Sequence, residues 1–276
     1  MNKFGVGQPV TRTEDPRLLT GRGRYVDDIQ LPRMAHIAVV RSAHAHARIK
    51  SINTQAAAAA PGVLAVLTAA EMKADKVGVI GIPTPFMPED IGGPKSNHRP
   101  SRPVLVEGEV RHVGDRVAIV VAETVAQARD AADLVEITYD ALQAVATLET
   151  AIKPGAPLVW DPASGNICVS LMMGNKDAVD AGFAKAKHTA KVRLVNNRLS
   201  SNTMEPRGSL GIYDPADDSY TLYTSTQAPH STRQFLAQAV FMQSESKFRV
   251  IAGDVGGGFG MKGACFPEEA LVLWAS

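Results

Sequence analysis

The spacing of apolar and polar residues predicts short strands and helices in alternation over the first half of the chain. The stretch MAHIAVVRSAHAHARIKSI predicts two strands with a turn near Ser42. The alanine-rich run that follows predicts a helix capped by Asn53 or Thr54 and stopped at Pro61-Gly62. VLAVLTAAEM then predicts a strand that leads into another helix.

A segment rich in glycine and proline, residues 78–103, interrupts this pattern and predicts a long irregular loop that is functional, interfacial or mobile. The residues from Glu109 to Leu142 predict a strand, a helix and a strand, with the helix beginning at Glu123-Thr124. Its apolar positions indicate a buried stripe that consists of Val125, Ala128, Ala132 and Val135. These elements complete an α+β domain, which we place with its N-terminal arm at residues 1–146.

The second half of the chain predicts another α+β region after a linker. Residues 147–174 are rich in proline, glycine and alanine and have no clear period, which is typical of a linker. The later pattern predicts a helix over DAVDAGFAKA, strands in HTAKVRLVNNRLS, GSLGIYD and SYTLYTST, a hairpin turn at 214–218, a helix from Pro229 through Gln238, and the strand FRVIAGD. A helix that begins at Pro267 is still in progress at the last residue, so we expect the domain at 175–276 to be incomplete.

The most specific local motif is the glycine-rich run GDVGGGFGMKG, Gly253 to Gly263, between a predicted strand and a predicted helix. Gly258, Gly260 and Gly263 spell GxGxxG, which marks a dinucleotide site in the first strand–helix unit of a parallel sheet. Here the run follows predicted antiparallel strands, and no chain remains for the acidic residue expected about 20 positions downstream. Lys262 precedes a glycine rather than serine or threonine, which excludes a Walker loop.

The glycines do predict close approach of the backbone to a ligand. Gly256, Gly257, Gly258 and Gly260 lack a Cβ, so their amides can come near a bound group. The amino terminus of the helix that follows favours an anion. A plain glycine turn is the alternative that these residues leave open.

Composition indicates a globular protein with one large or two ordinary domains, since 276 residues are present and 45% of them are hydrophobic. Lys+Arg number 29 against 28 Asp+Glu, a net charge of +1, so neither a nucleic acid partner nor an anionic membrane surface is indicated. No signal sequence is recognisable, and no stretch approaches the ~20 apolar residues of a membrane span. We therefore expect a soluble, cytoplasmic protein that acts on small molecules or binds other proteins.

The cysteines and histidines do not predict a metal site. Cys168 and Cys265 lie far apart without ligand spacing, which indicates free buried thiols rather than a disulfide or a zinc centre. A period of two places four basic side chains on one strand face, namely His44, His46, Arg48 and Lys50. Because no third ligand lies nearby, we expect a solvated or interfacial face there.

Longer motifs lie in both halves of the chain. The first half contains DPRLLTGRGRYVDDIQLP, RSAHAHARI, PGVLAVLTAAEM and VGDRVAIVVAET, and the second contains NNRLSSNTMEPRGSLGIYD, TSTQAPH and GDVGGGFGMKG. In this order they resemble the molybdenum-cofactor (large) subunit of the xanthine dehydrogenase, aldehyde oxidase and carbon monoxide dehydrogenase family, in its amino-terminal portion only. The resemblance implies an α+β fold, with an a/b hammerhead domain followed by the start of an incomplete molybdopterin-binding domain.

The resemblance also implies roles for single residues. Gln227 in TSTQ matches the glutamine that hydrogen-bonds an oxygen ligand of molybdenum in the family, which makes it the catalytic candidate. Gln227, Gly257, Gly258, Phe259 and Gly260 match the residues beside the metal and the pterin, which makes them the cofactor-binding candidates. A glutamine can donate to such an oxygen without becoming a metal ligand, and no protein ligand of the metal is implied.

The same residues have structural alternatives. Gln227 by itself predicts a side chain at a strand end that satisfies a loop carbonyl, and Phe259 by itself predicts a core residue. Glu205 and Arg207 are expected to form an ion pair that frames the pocket, and His230 is expected to be structural.

The family's chemistry implies oxidative hydroxylation of a small organic or one-carbon substrate with oxygen from water. The implied cofactor is molybdenum–molybdopterin in its cytosine dinucleotide form, with [2Fe–2S] clusters on a small iron–sulfur subunit and FAD on a medium subunit as electron acceptors. The family's general-base glutamate and substrate-defining segment have no counterpart here. We therefore expect this chain alone to be inactive and to need a polypeptide that carries the rest of the molybdenum domain.

Two other hypotheses stay open at this point. One is an inactive, truncated or degenerate fragment of such a subunit. The other is a stand-alone nucleotide-binding module that uses the glycine-rich run.

Overall fold

The computed structural model describes residues 7, 9–81, 95–96, 100, 102–161, 164–170 and 174–276. Most of the loop predicted at 78–103 lies outside the described residues. Within the described ranges, every helix is too short or too polar to cross a membrane.

Short helices and strands alternate through the first half of the chain. Its strands are β1 (His36–Arg41), β2 (Ala47–Asn53), β3 (Val63–Thr68), β4 (Val79–Ile80), β5 (Lys95–Ser96), β6 (Arg102–Pro103), β7 (Glu109–Val110), β8 (Arg116–Ala122) and β9 (Glu136–Ala141). Its helices are α1 (Asp15–Leu19), α2 (Gln55–Ala58), α3 (Ala69–Ala74), α4 (Val125–Ala132) and α5 (Leu148–Ala151). The two strands on either side of Ser42 and the later strand, helix and strand are confirmed.

Two antiparallel sheets organise these elements. One has the order β1-β8-β3 and the other the order β7-β2-β9. The central strand β8 has the continuous apolar sequence VAIVVA after Arg116, and Val117 through Val120 are fully buried. A strand buried on both faces carries such an unbroken apolar run, so β8 is the core of this half.

Helix α4 packs against β1 and β8. Thr124 caps it, because its side-chain oxygen accepts from the backbone N–H of Gln127 at 3.2 Å. The buried face of the helix consists of Ala128 and Ala131. The prediction that Val125 is buried was wrong: it lies in the first turn and is 44% exposed.

The described part of the second half contains a three-stranded sheet and three α-helices. Its elements are β10 (Val169–Ser170), α6 (Lys176–Lys185), β11 (Ser209–Asp214), β12 (Ser219–Thr224), α7 (Pro229–Phe235), β13 (Phe248–Ile251) and α8 (Pro267–Trp274). A π-helical turn, residues 236–240, continues α7. The hairpin of β11 and β12, the helix at Pro229 and the helix at Pro267 are confirmed.

The direction of β13 differs from its prediction. Strand β12 pairs antiparallel with β11 but parallel with β13. The chain between β12 and β13 includes α7, so these elements form a β–α–β crossover. The glycine-rich run is thus reached from a parallel strand and not from an antiparallel one.

The segment between α6 and β11 also differs from its prediction. HTAKVRLVNNRLS was expected to contain strands, yet residues 187–208 have no regular structure. Val192, Leu194 and Leu199 are 74%, 86% and 90% exposed. The apolar pattern is suited to a strand, but a strand needs a hydrogen-bonded neighbour, and none of the described strands pairs with this segment.

One hydrophobic core joins the two halves. It contains Met72 and Ile119 from the first half with Leu222, Leu236 and Leu271 from the second, all at most 4% exposed. Helix α8 lies close against β11, where a Cβ on Gly211 would be 2.4 Å from the carbonyl oxygen of Val272. This shared core holds the second-half sheet against the first half.

Replacing a core residue should measure how strongly the halves depend on this packing. Leu222 is fully buried at the centre of β12, and Leu222→Ala should lower the free energy of unfolding by about 2–5 kcal/mol in urea titration. Leu64→Ala, at a position 59% exposed, is the matched control and should change it by less than about 0.5 kcal/mol. Equal losses in the two variants would contradict the assigned core.

Candidate functional site

The glycine-rich run, residues 253–263, lies between β13 and α8 without regular structure. Two other segments reach it. The chain just after β12 brings Gln227 to it, and the chain just before β11 brings Glu205. All predicted site residues therefore meet at one place.

The side chain of Gln227 lies across the run. Its Oε1 accepts from the backbone N–H of Gly260 at 3.0 Å and from that of Lys262 at 3.2 Å. Both partners are donors, so the oxygen and not the nitrogen of the carboxamide must face them. Among the described residues Nε2 has no hydrogen-bond partner, and the residue is exposed.

This arrangement corrects the structural alternative for Gln227. The side chain was expected to donate to a loop carbonyl, but it accepts from two loop amides instead. The backbone N–H of Gln227 donates to the carbonyl of Lys262 at 2.8 Å, which fixes the residue from its main chain as well. The donor end of the carboxamide stays available.

The glycines are required by close packing and by backbone conformation. A Cβ on Gly258 would lie 2.5 Å from Cδ of Gln227, and a Cβ on Gly256 would lie 2.4 Å from Cβ of Glu205. Gly260 has φ +83° and nothing within 4 Å of a Cβ position, so the space beside it is open.

Phe259 departs from the prediction for an apolar residue. It was expected in the core if judged alone, but it is 77% exposed. Its φ of 50° lies in the left-handed region, which is uncommon for a bulky side chain. Strained backbone of this kind concentrates at ligand sites, so both observations favour a binding role over a packing role.

Behind the run, Glu205 pairs with Lys262 and not with Arg207, so the predicted ion pair was wrong in its partner. Nζ of Lys262 lies 2.8 Å from Oε2 of Glu205, and the same oxygen accepts from the N–H of Gly256 at 2.8 Å. Arg207 stacks over the ring of Phe266 instead, 4.0 Å from its centre. Lys262 lies near the end of the glycine-rich run, and the spacing of residues alone could not predict that its side chain is buried.

The start of the run is anchored by the N-terminal arm. The guanidinium of Arg17 in α1 makes a bidentate pair with Asp254, at 2.6 and 2.5 Å, and the backbone N–H of Arg24 donates to Asp254 at 2.7 Å. The pair with Arg17, then the bond from Arg24, lower the pKa of Asp254 to about 2. A contact between residues so distant in sequence leaves no local signal and was not predicted.

At the amino terminus of α8, where an anion was expected to bind, a side chain of the helix itself accepts a hydrogen bond. The carboxylate of Glu269, in the first turn, accepts from the N–H of Phe266 at 2.8 Å and from Thr224 at 2.8 Å. Burial raises the pKa of this carboxyl group. The helix thus fills its own amino terminus with a side chain.

The remaining candidates are histidines and cysteines. His46 was predicted on a solvated or interfacial face. It bonds Glu109 at 2.9 Å and the carbonyl of Gln143 at 3.0 Å, and its side chain is only 9% exposed, so it is not solvated. In the described part of the chain no group of His, Cys, Asp and Glu could hold a metal ion. Cys168 and Cys265 are free thiols; Cys265 is buried as predicted, but Cys168 is only partly buried. His230 is exposed in α7.

The site as a whole offers hydrogen-bond donors. Besides Nε2 of Gln227, the backbone N–H groups of Gly258 and Phe259 have no partner among the described residues. The carboxylates nearby, of Glu205 and Asp254, are bonded to cations. Such a surface suits an anionic or oxygen-rich ligand.

Comparison with known proteins places these observations in a family. Residues 20–143 match the model described as aldehyde oxidase and xanthine dehydrogenase, a/b hammerhead domain. Residues 160–276 match the molybdopterin cofactor-binding domain. The two matches are separated by residues 144–159 and together span both halves of the fold.

Similar proteins share most of the chain's length. The nicotine 6-hydroxylase large subunit of Paenarthrobacter nicotinovorans is 37% identical over 98% of this chain and 32% of its own length. The carbon monoxide dehydrogenase large chain of Hydrogenophaga pseudoflava is 34% identical over 95% of this chain and 32% of its own length. The structure of quinoline 2-oxidoreductase from Pseudomonas putida 86 has TM-score 0.83 at 35% identity, over 98% of this chain and 33% of that one. The chain thus spans about a third of the length of the curated relatives it matches.

The anchor at Asp254 should make stability depend on pH. Its folded pKa is lowered from 3.8 to about 2, so its contribution is present above about pH 4 and is lost as the pH falls through about 2. Asp254→Asn should therefore unfold at lower urea concentration than wild type at pH 6, and the difference should shrink towards pH 2. Asp130→Asn, on the exposed face of α4, is the control. A difference that is the same at every pH would contradict the assignment.

Proposed function

This chain belongs to the aldehyde oxidase and xanthine dehydrogenase family of molybdenum hydroxylase large subunits, and on that premise we propose that it forms part of the catalytic subunit of such an enzyme. The observation that carries the proposal is the orientation of Gln227. Its oxygen is held by two amides of the glycine-rich run, so its free NH₂ group is the end that can meet a ligand.

The residues present fit an anionic, oxygen-rich cofactor. Gln227, Gly258 and Phe259 offer donors without partners among the described residues, and the open space beside Gly260 lets a ligand come near. A molybdenum–molybdopterin cofactor carries phosphate and oxygen acceptors that such donors would bind. We assign one wall of the cofactor site to Gln227, Gly257, Gly258, Phe259 and Gly260.

When bound, the cofactor supplies oxidative hydroxylation with oxygen taken from water. The chain's own residues would hold and orient it. Gln227 would donate from Nε2 to an oxygen on the metal side of the cofactor, and the N–H groups of Gly258 and Phe259 would donate to further acceptors. The exposed ring of Phe259 would cover an apolar part of the ligand and keep water from it.

The remaining parts of the proposal concern the whole enzyme. The substrate would be a small organic or one-carbon compound, and the cofactor would be in its cytosine dinucleotide form. Electrons would pass to [2Fe–2S] clusters on a small subunit and FAD on a medium subunit, in the cytoplasm. Relatives named as carbon monoxide dehydrogenase large chain and as a subunit of the 6-hydroxypseudooxynicotine dehydrogenase complex support an enzyme of several subunits. Further cofactor contacts would come from polypeptide equivalent to the rest of the relatives' length.

The alternative of a nucleotide-binding module is less well supported. In such a module the phosphate takes the amino terminus of the helix after the glycines. Here the carboxylate of Glu269 already accepts from Phe266 at that terminus. A phosphate would meet a filled position and a nearby acidic group.

Purification through a tag on this chain from its native source tests the assembly. We expect molybdenum, pterin, iron and FAD in the preparation, with two partner subunits and polypeptide equivalent to the rest of the large subunit. Metal analysis, flavin absorbance and mass spectrometry measure each of them. Recovery of the 276-residue chain alone and free of cofactor would favour the inactive-fragment hypothesis.

Substitution of Gln227 tests the site in the purified enzyme. Gln227→Glu keeps an oxygen towards Gly260 and Lys262 but removes the donor, and Gln227→Ala removes both. Each should slow turnover roughly 10- to 100-fold, because a charge-assisted hydrogen bond is lost. The molybdenum content of the alanine variant should stay nearly unchanged, because other contacts hold the cofactor.

Dye reduction and metal analysis on the same preparations give the result. Gln238→Ala is the matched control, since Gln238 bonds Glu245 on the exposed side of the helix that continues α7. An unchanged rate in Gln227→Glu would refute the role given to the NH₂ group.

A further inference from the structure

A charged pair lies buried directly behind the glycine-rich run. The side chain of Lys262 is 0% exposed and that of Glu205 is 14% exposed, with 2.8 Å between Nζ and Oε2. The other oxygen of Glu205, Oε1, is buried without a hydrogen-bond partner among the described residues. Taking both charges out of water costs free energy that can cancel their attraction, so the pair is not evidence of stabilisation by itself. Its role is better explained by the groups that it holds in position.

The pair is connected to Gln227 through the main chain of Lys262. The N–H of Lys262 donates to Oε1 of Gln227 at 3.2 Å, and its carbonyl accepts from the N–H of Gln227 at 2.8 Å. The same carbonyl accepts from Oγ1 of Thr226 at 3.2 Å. The side chain of Lys262 thus contacts Glu205, while its backbone contacts both the side chain and the main chain of Gln227.

The pair also sets the path of the glycines. Oε2 of Glu205 accepts from the N–H of Gly256 at 2.8 Å, and the N–H of Glu205 donates to the carbonyl of Gly256 at 3.2 Å. Glu205 therefore holds the beginning of the run and, through Lys262, its end. Glycines impose no such path themselves, because they adopt many backbone conformations at similar cost.

We propose that Lys262 and Glu205 are positioning residues that fix which end of the Gln227 carboxamide faces the ligand. Without the amides of Gly260 and Lys262 at their present places, a carboxamide can rotate and present its oxygen as readily as its nitrogen. An oxygen presented to an anionic ligand would repel it. This inference rests on the function proposed above for Gln227, but its test needs no cofactor.

The test compares Lys262→Met with wild type in the full chain by nuclear magnetic resonance. Methionine keeps the apolar stem and removes the charge from Glu205. We expect the side-chain NH₂ signals of Gln227 to move towards those of a free carboxamide. Exchange of the Gly260 amide hydrogen should rise roughly tenfold or more. Amides of β8, such as that of Ile119, should keep their protection, which shows that the fold persists.

Lys73→Met is the matched control, because Lys73 makes an exposed pair with Glu107 at 3.2 Å and contacts no part of the run. A folded Lys262→Met variant with wild-type Gln227 signals and wild-type exchange at Gly260 would overturn the proposal. Should Lys262→Met fail to fold, Glu205→Gln decides. It removes the charge but keeps an acceptor for Gly256, and it should move the same Gln227 signals by a smaller amount. Unmoved signals would overturn the proposal.

The outcome is separable from that of the proposed function. Movement of the Gln227 signals together with an unchanged rate in Gln227→Glu would support positioning and refute the catalytic role. A slower rate in Gln227→Glu, together with unchanged Gln227 signals in Lys262→Met, would support the catalytic role and refute positioning by Lys262.

Discussion

A glycine-rich run cannot determine its own shape, and the site depends on the side chains that determine it. Glycine allows close approach of a ligand because it lacks a Cβ, and for the same reason it has little conformational preference. Arg17 pairs with Asp254 at the start of the run. Glu205 accepts from the N–H of Gly256 and pairs with the ammonium group of Lys262. Gln227 accepts from the N–H of Gly260 near the end of the run. These three come from segments far apart in sequence, so the loop is shaped by the tertiary fold.

The fold brings those three segments together through its shared core. Strand β8 is the buried central strand of the first half. The hydrophobic cluster that contains Leu222 and Leu271 packs the second half against the first. The N-terminal arm can then reach across from the first half to Asp254. A rigid frame with a polar, donor-rich loop at its surface is the arrangement by which proteins hold a reactive cofactor in a fixed orientation.

The sequence predicted most elements and the residues of the site, because both leave local signals. Apolar runs such as that of β8, capping residues such as Thr124 and the glycines themselves are readable from neighbouring positions. Contacts between distant residues are not. The partner of Glu205, the pair of Arg17 with Asp254 and the parallel pairing of β13 all depend on tertiary packing. The strands expected in residues 188–200 did not form for a related reason: the apolar spacing suits a strand, but none of the described strands pairs with this segment.

We propose that the glycine-rich run and Gln227 form one wall of a molybdopterin site, with the NH₂ group of Gln227 as the donor. Electron cryomicroscopy of the enzyme purified through this chain tests it most directly. We expect cofactor density within hydrogen-bond reach of Nε2 of Gln227 and beside Phe259, with Oε1 still accepting from the amides of Gly260 and Lys262. Density for the cofactor at another place, or a Gln227 whose oxygen faces the cofactor, would contradict it.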